Sequence, residues 1–366
     1  MSKKKRILIF SFYNKKGKIY EYVFHLLNQY RQITEYIIFV ANGILCEESR
    51  SKLNCVVDEI VIRKNEGYDG EAYRKIVLQL IEQEKIWNYD ELILSNDTYF
   101  GPLRPWHIIF SSSNIKETDF WGLTRWNGGY SELLETYVPE HVQGYFIVIK
   151  KNILQSEVWF NFWKTMPIIK TYKDAVVNYE IGLTSYLVAH GFKYDVWLEE
   201  NKSNGNIYLQ EPYKIIKDYG FPIIKRKAVS ILNEQGIKAV EYIRNYCDYD
   251  ISMIEDYKRE MHENPFEVSN LKSFCKKYHN IYLYGNGKWA RSLTYYLNKI
   301  GVKIKKYIVT EYTKDDDLHE VVEYHIGLIK RDEGVIIAIK DYEAVYELLI
   351  KAGLKNQILK PWDNMN

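Results

Sequence analysis

Residues 89–103 of this chain read Tyr89-Asp90-Glu91-Leu92-Ile93-Leu94-Ser95-Asn96-Asp97-Thr98-Tyr99-Phe100-Gly101-Pro102-Leu103. The short apolar run Leu92–Leu94 predicts a buried strand, which stops at the polar triplet Ser95-Asn96-Asp97 before a Gly-Pro pair closes a loop. In open α/β sheets, ligands bind outside the carboxyl ends of the strands. A carboxylate placed there, such as Asp97, is able to hold a metal and, through it, the oxygens of a diphosphate. The alternative is that Asp97 only caps the next turn, as Asx residues often do.

Strand-like and helix-like segments alternate along the first part of the chain. Apolar runs predict strands at Ile7–Phe12, Glu35–Val40 and Glu59–Ile62, and helical spacing is present in Tyr20–Tyr30 and Glu71–Lys85. Each predicted strand ends in a polar or glycine-rich loop. This alternation predicts an α/β fold with a mostly parallel sheet.

The loop Asn65–Gly70 is a second candidate site. Its two glycines, Gly67 and Gly70, let the backbone approach a ligand, and the helix that follows presents its N-terminal amides to an anion. Arg74, one turn into that helix, is placed to bind a phosphate through two N–H groups. The alternative is a left-handed turn followed by a helix cap, with Arg74 in solvent.

Three more polar residues are candidates because of their positions. His141 and Gln143 are one residue apart, so in an extended chain both face the same side and are able to contact a sugar, a phosphate or a metal. A lone histidine is nevertheless more often a hydrogen-bonded structural residue. Glu180 is expected at or near the N-terminus of a helix that ends at Gly191, where it either complements the helix dipole or acts as a general base.

The composition is that of an ordinary globular protein, with 46% apolar and 27% charged residues among 366. A formal charge of +2 gives no reason to expect nucleic acid as a partner. The 33 Tyr and 9 Trp suit sugar recognition, although such rings also build cores and interfaces.

The cysteines and the hydropathy pattern predict a cytoplasmic protein. Cys46, Cys55, Cys247 and Cys275 show no metal-ligand spacing, which is typical of reduced thiols. No apolar run approaches the ~20 residues that span a bilayer. The short basic runs Lys3–Arg6 and Lys225–Lys227 favour at most a peripheral contact with the inner face of the membrane.

The pattern of strand, glycine loop and helix begins again near the C-terminus. Gly285-Asn286-Gly287-Lys288-Trp289-Ala290 lies between an apolar strand and a helix, which predicts a small Rossmann-like domain. The tail is short for a complete dinucleotide domain with a catalytic partner, so a sensing, docking or structural role is favoured over NAD-dependent chemistry. The predicted domains are residues 1–230, a helical linker at 231–278, and the Rossmann-like domain at 279–366.

Taken together, several stretches resemble the rhamnan synthesis protein F family, glycosyltransferase-like proteins of bacterial cell-surface polysaccharide assembly. The resemblance spans roughly residues 5–230 and leaves the tail from about 280 outside it. It is carried, in a consistent order, by residues 65–73, 89–103, 119–124, 141–146 and 179–192.

The resemblance implies a GT-A-like nucleotide-sugar-binding domain. Ser95-Asn96-Asp97 would replace the Asp-x-Asp motif of inverting GT-A enzymes, with Asp97 holding Mg²⁺ or Mn²⁺ and Glu180 as the catalytic base. Because position 95 is Ser, Asp97 is the single carboxylate of the triplet. The alternative is that Arg74 or Lys225–Lys227 neutralises the diphosphate without metal. The residues expected to bind substrate are Asn65, Gly67, Tyr68, Asp69, Tyr73, Arg74, Asn96, His141, Gln143 and Lys225.

The resulting hypothesis is an inverting glycosyltransferase. Its donor would be a nucleotide-activated sugar, dTDP-rhamnose being the choice that the family name indicates, and its acceptor a cell-surface or lipid-linked glycan. Two rivals remain open. One is an NAD(P)-linked sugar oxidoreductase that uses Gly285–Ala290, and the other is a non-catalytic glycan-binding or scaffold protein.

Overall fold

A computed structural model of the chain describes residues 4–112, 115–199, 206–230, 232–260, 266, 268–313 and 319–361. The chain divides into two compact units. The first comprises Met1–Arg226 and Ile243–Met253, and the second comprises Lys227–Tyr242 and Ile254–Asn366. The domain boundary predicted between residues 230 and 231 adjoins residue 231, which is outside the described residues. The helices of the predicted linker, residues 231–278, are divided between the two units.

The first unit contains thirteen strands among its described residues, some only two residues long. They are β1 (Arg6–Phe12), β2 (Tyr36–Asn42), β3 (Glu59–Arg63), β4 (Glu91–Asn96), β5 (Tyr99–Phe100), β6 (Phe120–Gly122), β7 (Arg125–Trp126), β8 (Gly129–Ser131), β9 (Thr136–Val138), β10 (His141–Val142), β11 (Phe146–Lys150), β12 (Tyr194–Val196) and β13 (Ile224–Lys225). Its helices are α1 (Glu21–Arg31), α2 (Glu47–Leu53), α3 (Tyr68–Glu82), α4 (Trp106–Phe110), α5 (Lys151–Leu154), α6 (Glu157–Thr165), α7 (Tyr172–Asp174), α8 (Gly182–Ala189), α9 (Ile207–Gln210) and α10 (Pro212–Tyr219), with a 3₁₀ turn at Ile86–Asn88.

Seven of these strands form one sheet in the order β12-β6-β11-β4-β1-β2-β3. All neighbours pair in parallel except β11, which runs antiparallel to both β4 and β6. Side chains alternate between the two faces of a strand. Ile7 and Ile9 therefore pack with α3, α6 and α8 on one face, while Phe10 packs on Tyr30 of α1 on the other. The predicted α/β class and mostly parallel sheet are confirmed.

Strand β4 continues past the point where the sequence predicted a loop. Ser95 and Asn96 pair with Phe10 and Ser11 of β1, so the first two residues of the polar triplet belong to the sheet. Ser95 is fully buried, and its hydroxyl lies 3.0 Å from that of Tyr30 and 2.6 Å from that of Tyr99. This hydrogen-bonded cluster satisfies a polar side chain in the core. It explains why the strand is longer than its apolar run.

The helix that carries Glu180 begins earlier than its apolar spacing indicated. Thr171 and Asp174 form a capping box, in which each side chain accepts a hydrogen bond from the other's backbone N–H. Helix α7 follows, and a π-helical turn at Ala175–Ile181 leads into α8. The expected position of Glu180 at a helix N-terminus is therefore wrong, because the cap lies nine residues upstream. π-Helical turns often occur at functional sites.

The second unit is a Rossmann-like α/β domain. Its sheet has the order β16-β15-β14-β17-β18 and all its pairs are parallel. Its strands are β14 (Asn280–Tyr284), β15 (Ile304–Val309), β16 (Val321–Glu323), β17 (Glu333–Ile337) and β18 (Ile358–Leu359). Its helices are α13 (Val268–Lys277), α14 (Lys288–Lys299) and α15 (Glu343–Lys351), with a 3₁₀ turn at Lys355–Gln357. The helices α11 (Glu234–Tyr246) and α12 (Ser252–Glu260) and the 3₁₀ turn Arg226–Val229 each contribute residues to both units. None of the described helices is long and apolar enough to cross a membrane.

Candidate active site

A network of hydrogen bonds joins the carboxyl ends of three neighbouring strands of the first unit. The Ser11 hydroxyl donates to Oδ1 of Asp69 at 2.6 Å, and Nδ2 of Asn96 donates to Oδ2 of the same carboxylate at 2.7 Å. Nδ2 of Asn42 donates in turn to the Ser11 hydroxyl at 2.9 Å. Burial raises the pKa of Asp69, and the bonds from Ser11 and Asn96 oppose that rise. The predicted residues Asp69 and Asn96 are thus brought together.

The turn before α3 sets the position of Asp69. Gly67 has a φ of 74°, a left-handed conformation that favours glycine. A β-carbon at this position would lie 2.2 Å from Cγ of Glu71. Tyr68 follows with a φ of 54°, and its exposed ring meets the edge of Tyr172 at 5.9 Å. The two-residue left-handed turn places Asp69 in the first turn of α3, at the carboxyl edge of the sheet.

Asp97 forms a buried ion pair. Its Oδ2 lies 2.8 Å from Nη1 of Arg226, and the side chain of Asp97 is 7% exposed. The same Nη1 donates to the hydroxyl of Tyr22 at 3.0 Å, and that hydroxyl donates to the backbone carbonyl of Asp97 at 2.8 Å. Burial raises the pKa of Asp97 to about 6, although the positive charge of Arg226 acts in the opposite direction.

Lys225 lies beside the same turn because β13 pairs antiparallel with β5, with Lys225 opposite Tyr99. Its ammonium donates to the Thr98 hydroxyl and lies 4.1 Å from the ring centroid of Tyr145. That hydroxyl donates to Oδ1 of Asn96 at 2.6 Å. A cation over an aromatic face is attracted by the ring quadrupole. Lys225 is 9% exposed. Its contacts hold the positive charge next to the Asn96-Asp97 turn.

Glu180 and His141 face each other. Nε2 of His141 lies 3.9 Å from Oε1 of Glu180, and Nδ1 of His141 lies 2.9 Å from the carbonyl of Pro139. Burial raises the pKa of Glu180, while His141 and a hydrogen bond from the Gly144 amide lower it. A β-carbon at Gly144 would lie 2.9 Å from Cε1 of Tyr179 and 3.5 Å from Cγ of Glu180. Glycine at this position lets the turn between β10 and β11 approach the π-helical turn closely.

Glu180 and His141 line a cleft of about 520 Å³. Gln143 also lines it, accepts a 2.7 Å bond from the Thr124 hydroxyl, and donates to Oδ1 of Asn206 at 2.7 Å. The rest of the wall is largely aromatic and aliphatic, and includes Trp126, Tyr130, Leu133, Leu134, Val138, Tyr172, Val176, Ile181, Tyr208 and Leu209. The indole N–H of Trp126 is buried and has no hydrogen-bond partner within the described chain.

The two predicted catalytic carboxylates are linked through Asp69. The negative charge of Asp69 raises the pKa of both Asp97 and Glu180, and the positive charge of Lys225 lowers the pKa of both Asp69 and Glu180. These four side chains therefore belong to one electrostatic neighbourhood. Within the described residues, Asp97 is not part of the wall of the cleft that Glu180 lines.

The other predicted substrate-binding residues lie outside the hydrogen-bonded network. Arg74 contacts Glu71 at 3.4 Å and the carbonyl of Lys164 at 3.3 Å, both within the protein. Tyr73 is buried, and its hydroxyl donates to the carbonyl of Ser95 at 2.8 Å. Asn65 is exposed after β3. The side chain of Arg74, which was expected to bind a phosphate, therefore does not lie at the carboxyl ends of β1 and β4.

The residues around Asp97 do not fit a metal centre in this arrangement. Across the part of the chain that the structure describes, no group of three or more His, Cys, Asp or Glu side chains is placed to hold a metal ion. Ser95 points to the opposite face of the sheet, and both oxygens of Asp69 already accept hydrogen bonds. Oδ2 of Asp97 accepts a bond from a guanidinium. A divalent ion at Asp97 would meet that positive charge at close range.

The sequence patterns did not predict that Tyr22, Ser11 and Asn42 belong to the site. Ser11 and Asn42 are near the last positions of otherwise apolar strands, and that is the signal by which they were detectable. Arg63, the last residue of β3, continues the series because it donates to Oδ1 of Asn42. Tyr22 lies within a helix and carries no such signal.

The sequence profile of the Rhamnan synthesis protein F family matches residues 37–350. The chain belongs to the rhamnan synthesis protein F family. The match begins later than the predicted resemblance and continues into the second unit, so the expectation that the tail lies outside the family is corrected.

Curated relatives of this rhamnan synthesis protein F family member are distant. The protein y4gN of Sinorhizobium fredii, which is described as uncharacterized, is 23% identical over 244 residues, covering 65% of this chain and 57% of that protein. Virulence protein VirA of Vibrio anguillarum is 28% identical over 200 residues, covering 53% of this chain and 59% of that protein. This chain therefore spans less than two thirds of the length of either relative.

Solved structures give weaker likenesses. The inositol-1-phosphate CTP transferase of T. maritima has a TM-score of 0.33 and 11% identity, covering 53% of this chain and 85% of that one. Core-mannan synthase A of Aspergillus fumigatus, solved in its Mn/GDP form, has a TM-score of 0.30 and 9% identity, covering 50% and 69%. TM-scores of this size do not establish a common fold.

Proposed function

We propose that this member of the rhamnan synthesis protein F family is an inverting glycosyltransferase with a GT-A-like first unit. It transfers a sugar from a nucleotide-activated donor to a cell-surface or lipid-linked glycan, at the inner face of the membrane. dTDP-rhamnose is the first donor to test, because the family is described by rhamnan synthesis. Family membership and the carboxylate in the cleft support this proposal.

The observation that carries the proposal is the environment of Glu180. Its carboxylate lines a cleft large enough for a sugar, is fixed by the Gly144 amide, and has a pKa raised by burial. A general base works best when its pKa is close to the pH at which the enzyme operates. Glu180 would take the proton of the acceptor hydroxyl while the acceptor oxygen bonds to the anomeric carbon. The bond from that carbon to the diphosphate breaks, and its electron pair leaves with the diphosphate.

The donor is expected at the carboxyl ends of β1 and β4. In open α/β sheets ligands bind at this edge, and Asp69, Asn96 and Lys225 meet there. Asp69 and Asn96 would bind the donor's hydroxyl groups, and the turn around Gly67 would approach its nucleotide. These roles are predictions that rest on placement.

The acceptor is expected in the aromatic part of the cleft. Rings such as Trp126, Tyr130 and Tyr208 offer apolar faces for the C–H surfaces of a sugar, and their polar atoms offer hydrogen bonds. A mixed wall of this kind suits a saccharide better than a purely apolar ligand.

A thermal-shift panel of nucleotide sugars, each with and without Mn²⁺, tests the proposal. A ligand at about a hundredfold excess over its Kd adds about 2.7 kcal/mol of stability, which is readily detected. Stabilisation by one donor and release of its nucleoside diphosphate in the presence of bacterial glycans are the expected results. If no donor stabilises the chain and none is cleaved, the protein is not a glycosyltransferase, and the scaffold alternative is favoured.

The strand order of the second unit and Gly285 favour one other candidate function, that of an NAD(P)-linked oxidoreductase. The strand order of this unit's parallel sheet reverses at β14, with β15 on one side of that strand and β17 on the other, and Gly285 follows β14 with a φ of 104°. This is where a Rossmann fold binds dinucleotides. Stabilisation of the chain by NAD⁺ or NADP⁺, and its loss in Gly287→Trp, would support this candidate. The absence of such stabilisation would leave a sensing or docking role for the unit.

A further inference from the structure

The position that the family resemblance reserves for a metal-binding carboxylate is already paired with a cation of the chain. Oδ2 of Asp97 accepts a 2.8 Å bond from Arg226, and the pair is shielded from solvent on the Asp97 side. A divalent ion would have to displace Arg226 or stand beside it. Two cations next to one carboxylate in a poorly solvated site repel each other strongly.

Two separate contacts hold the segment Ile224–Arg226 against the turn that follows β4. The backbone N–H of Arg226 donates to the carbonyl of Thr98 at 3.0 Å, and Ile224 and Lys225 pair with Phe100 and Tyr99. Arg226 is also oriented by Tyr22. These contacts place two consecutive positive charges on the Asn96-Asp97-Thr98 turn.

The chemistry of both side chains suits a diphosphate. The guanidinium of arginine is planar, stays charged and matches phosphate oxygens through two parallel bonds, and the lysine ammonium acts as a compact point charge. The side chain of Arg226 is 20% exposed, so part of its surface is accessible to a ligand. Lys225 influences the pKa of both Asp69 and Glu180, so its charge acts across the site.

We infer that Arg226 and Lys225 stabilise the departing nucleoside diphosphate in place of a divalent cation, so that donor binding and transfer need no metal. This inference rests on the proposed function. Asp97 is then a positioning residue that orients Arg226, and it does not ligate a metal. As the bond to the anomeric carbon breaks, the two positive charges take up the negative charge that develops on the diphosphate oxygens.

The test measures binding of UDP, GDP and dTDP to the full chain by calorimetry, in EDTA and in Mn²⁺. One nucleoside diphosphate is expected to bind with the same Kd in both buffers. Arg226→Gln and Lys225→Met are each expected to weaken that binding about 10- to 100-fold, as charge-assisted bonds are lost. Arg31→Gln is the matched control, because it removes a 2.7 Å pair with Asp58 outside the site, and its Kd should stay that of the wild type.

The outcomes separate this inference from the proposed function. Binding that disappears in EDTA and returns with Mn²⁺ overturns the inference and leaves the glycosyltransferase standing. No binding of any nucleoside diphosphate or nucleotide sugar in either buffer overturns the proposed function, and the inference with it. Should Arg226→Gln fold poorly because Asp97 is left unpaired, Lys225→Met and the uncharged double variant Asp97→Asn/Arg226→Gln decide the question. Unchanged Kd in both of these variants would contradict the inference.

Discussion

Nε2 of His141 lies 3.9 Å from Oε1 of Glu180, in the wall of a cleft, although 39 positions separate the two residues. The distance is too long for a hydrogen bond and short enough for the two groups to influence each other's charge. The carboxylate is fixed from another direction by the Gly144 amide. Glu180 thus has a defined position and a neighbour that modulates its protonation.

Glu180→Gln should lower kcat by about 10²- to 10⁴-fold, because the amide cannot accept the acceptor's proton. Binding of the nucleoside diphosphate should change little. Steady-state donor turnover and calorimetry measure the two quantities. Glu140→Gln, which removes an exposed carboxylate 3.1 Å from Arg125, is the control. Turnover of Glu180→Gln at the rate of the wild type would show that another group is the base.

His141→Gln should move the acidic limb of the kcat–pH profile to higher pH. The nearby His141 lowers the pKa of Glu180, so its removal lets burial raise that pKa further. Glu180 must be deprotonated to act as a base, and more of it is then protonated at a given pH. His190→Gln, at an exposed histidine bonded to the Tyr186 carbonyl, should leave the limb in place. A limb that moves to lower pH would refute this coupling.

Gly144→Ala should destabilise the first unit by about 1–3 kcal/mol, the usual range for an overpacked core position. The added methyl would lie 2.9 Å from the ring of Tyr179, whose hydroxyl bonds to the Gly144 carbonyl at 3.3 Å. Urea unfolding followed by tryptophan fluorescence measures the change. Gly287→Ala is the control, since a β-carbon there meets no heavy atom within 4 Å. Equal stability of the two variants would mean that the approach at Gly144 is not tight.

The stability of the wild type relative to Asp97→Asn should fall as the pH rises from 4 to 7. Burial raises the pKa of Asp97 from 3.8 to about 6, so the folded chain binds more protons there than the unfolded chain does between those values. The free energy of unfolding therefore decreases through that window, by about 2–3 kcal/mol. Urea unfolding at several pH values measures it. A relative stability that rises with pH would show that the Arg226 pair outweighs burial.

Tyr130→Ala should raise the KM for the acceptor glycan by up to about tenfold, because one aromatic contact is worth roughly 0.5–1.5 kcal/mol. Tyr130 is 55% exposed at the mouth of the cleft and contacts Tyr137 edge-on at 5.6 Å. Donor binding should be unchanged. Tyr246→Ala, at another exposed tyrosine, is the control. A rise in donor Kd without a rise in acceptor KM would assign Tyr130 to the donor instead.

Local patterns in the sequence predicted the sheet and several of the side chains that meet at its edge. Apolar runs and helical spacing act over a few residues, and they located β1 to β4 and α3 within a few positions of their observed bounds. The rule that parallel strands collect ligands at their carboxyl ends then identified Asn96, whereas Asp69 was expected only from the family resemblance. The helical spacing of apolar residues predicted that Glu180 lies near a helix start, because that spacing does not reveal the capping box at Thr171.

The α/β class, the mostly parallel sheet and the polar ends of its strands follow from the sequence, because alternation and periodicity are properties of neighbouring residues. The pairing of Arg226 with Asp97 joins residues 129 positions apart and follows from the folded chain. The folded chain likewise determines that His141 faces Glu180 and that Arg74 turns to Glu71 and Lys164. These partners are chosen by strand pairing and packing between distant segments, which no local pattern encodes.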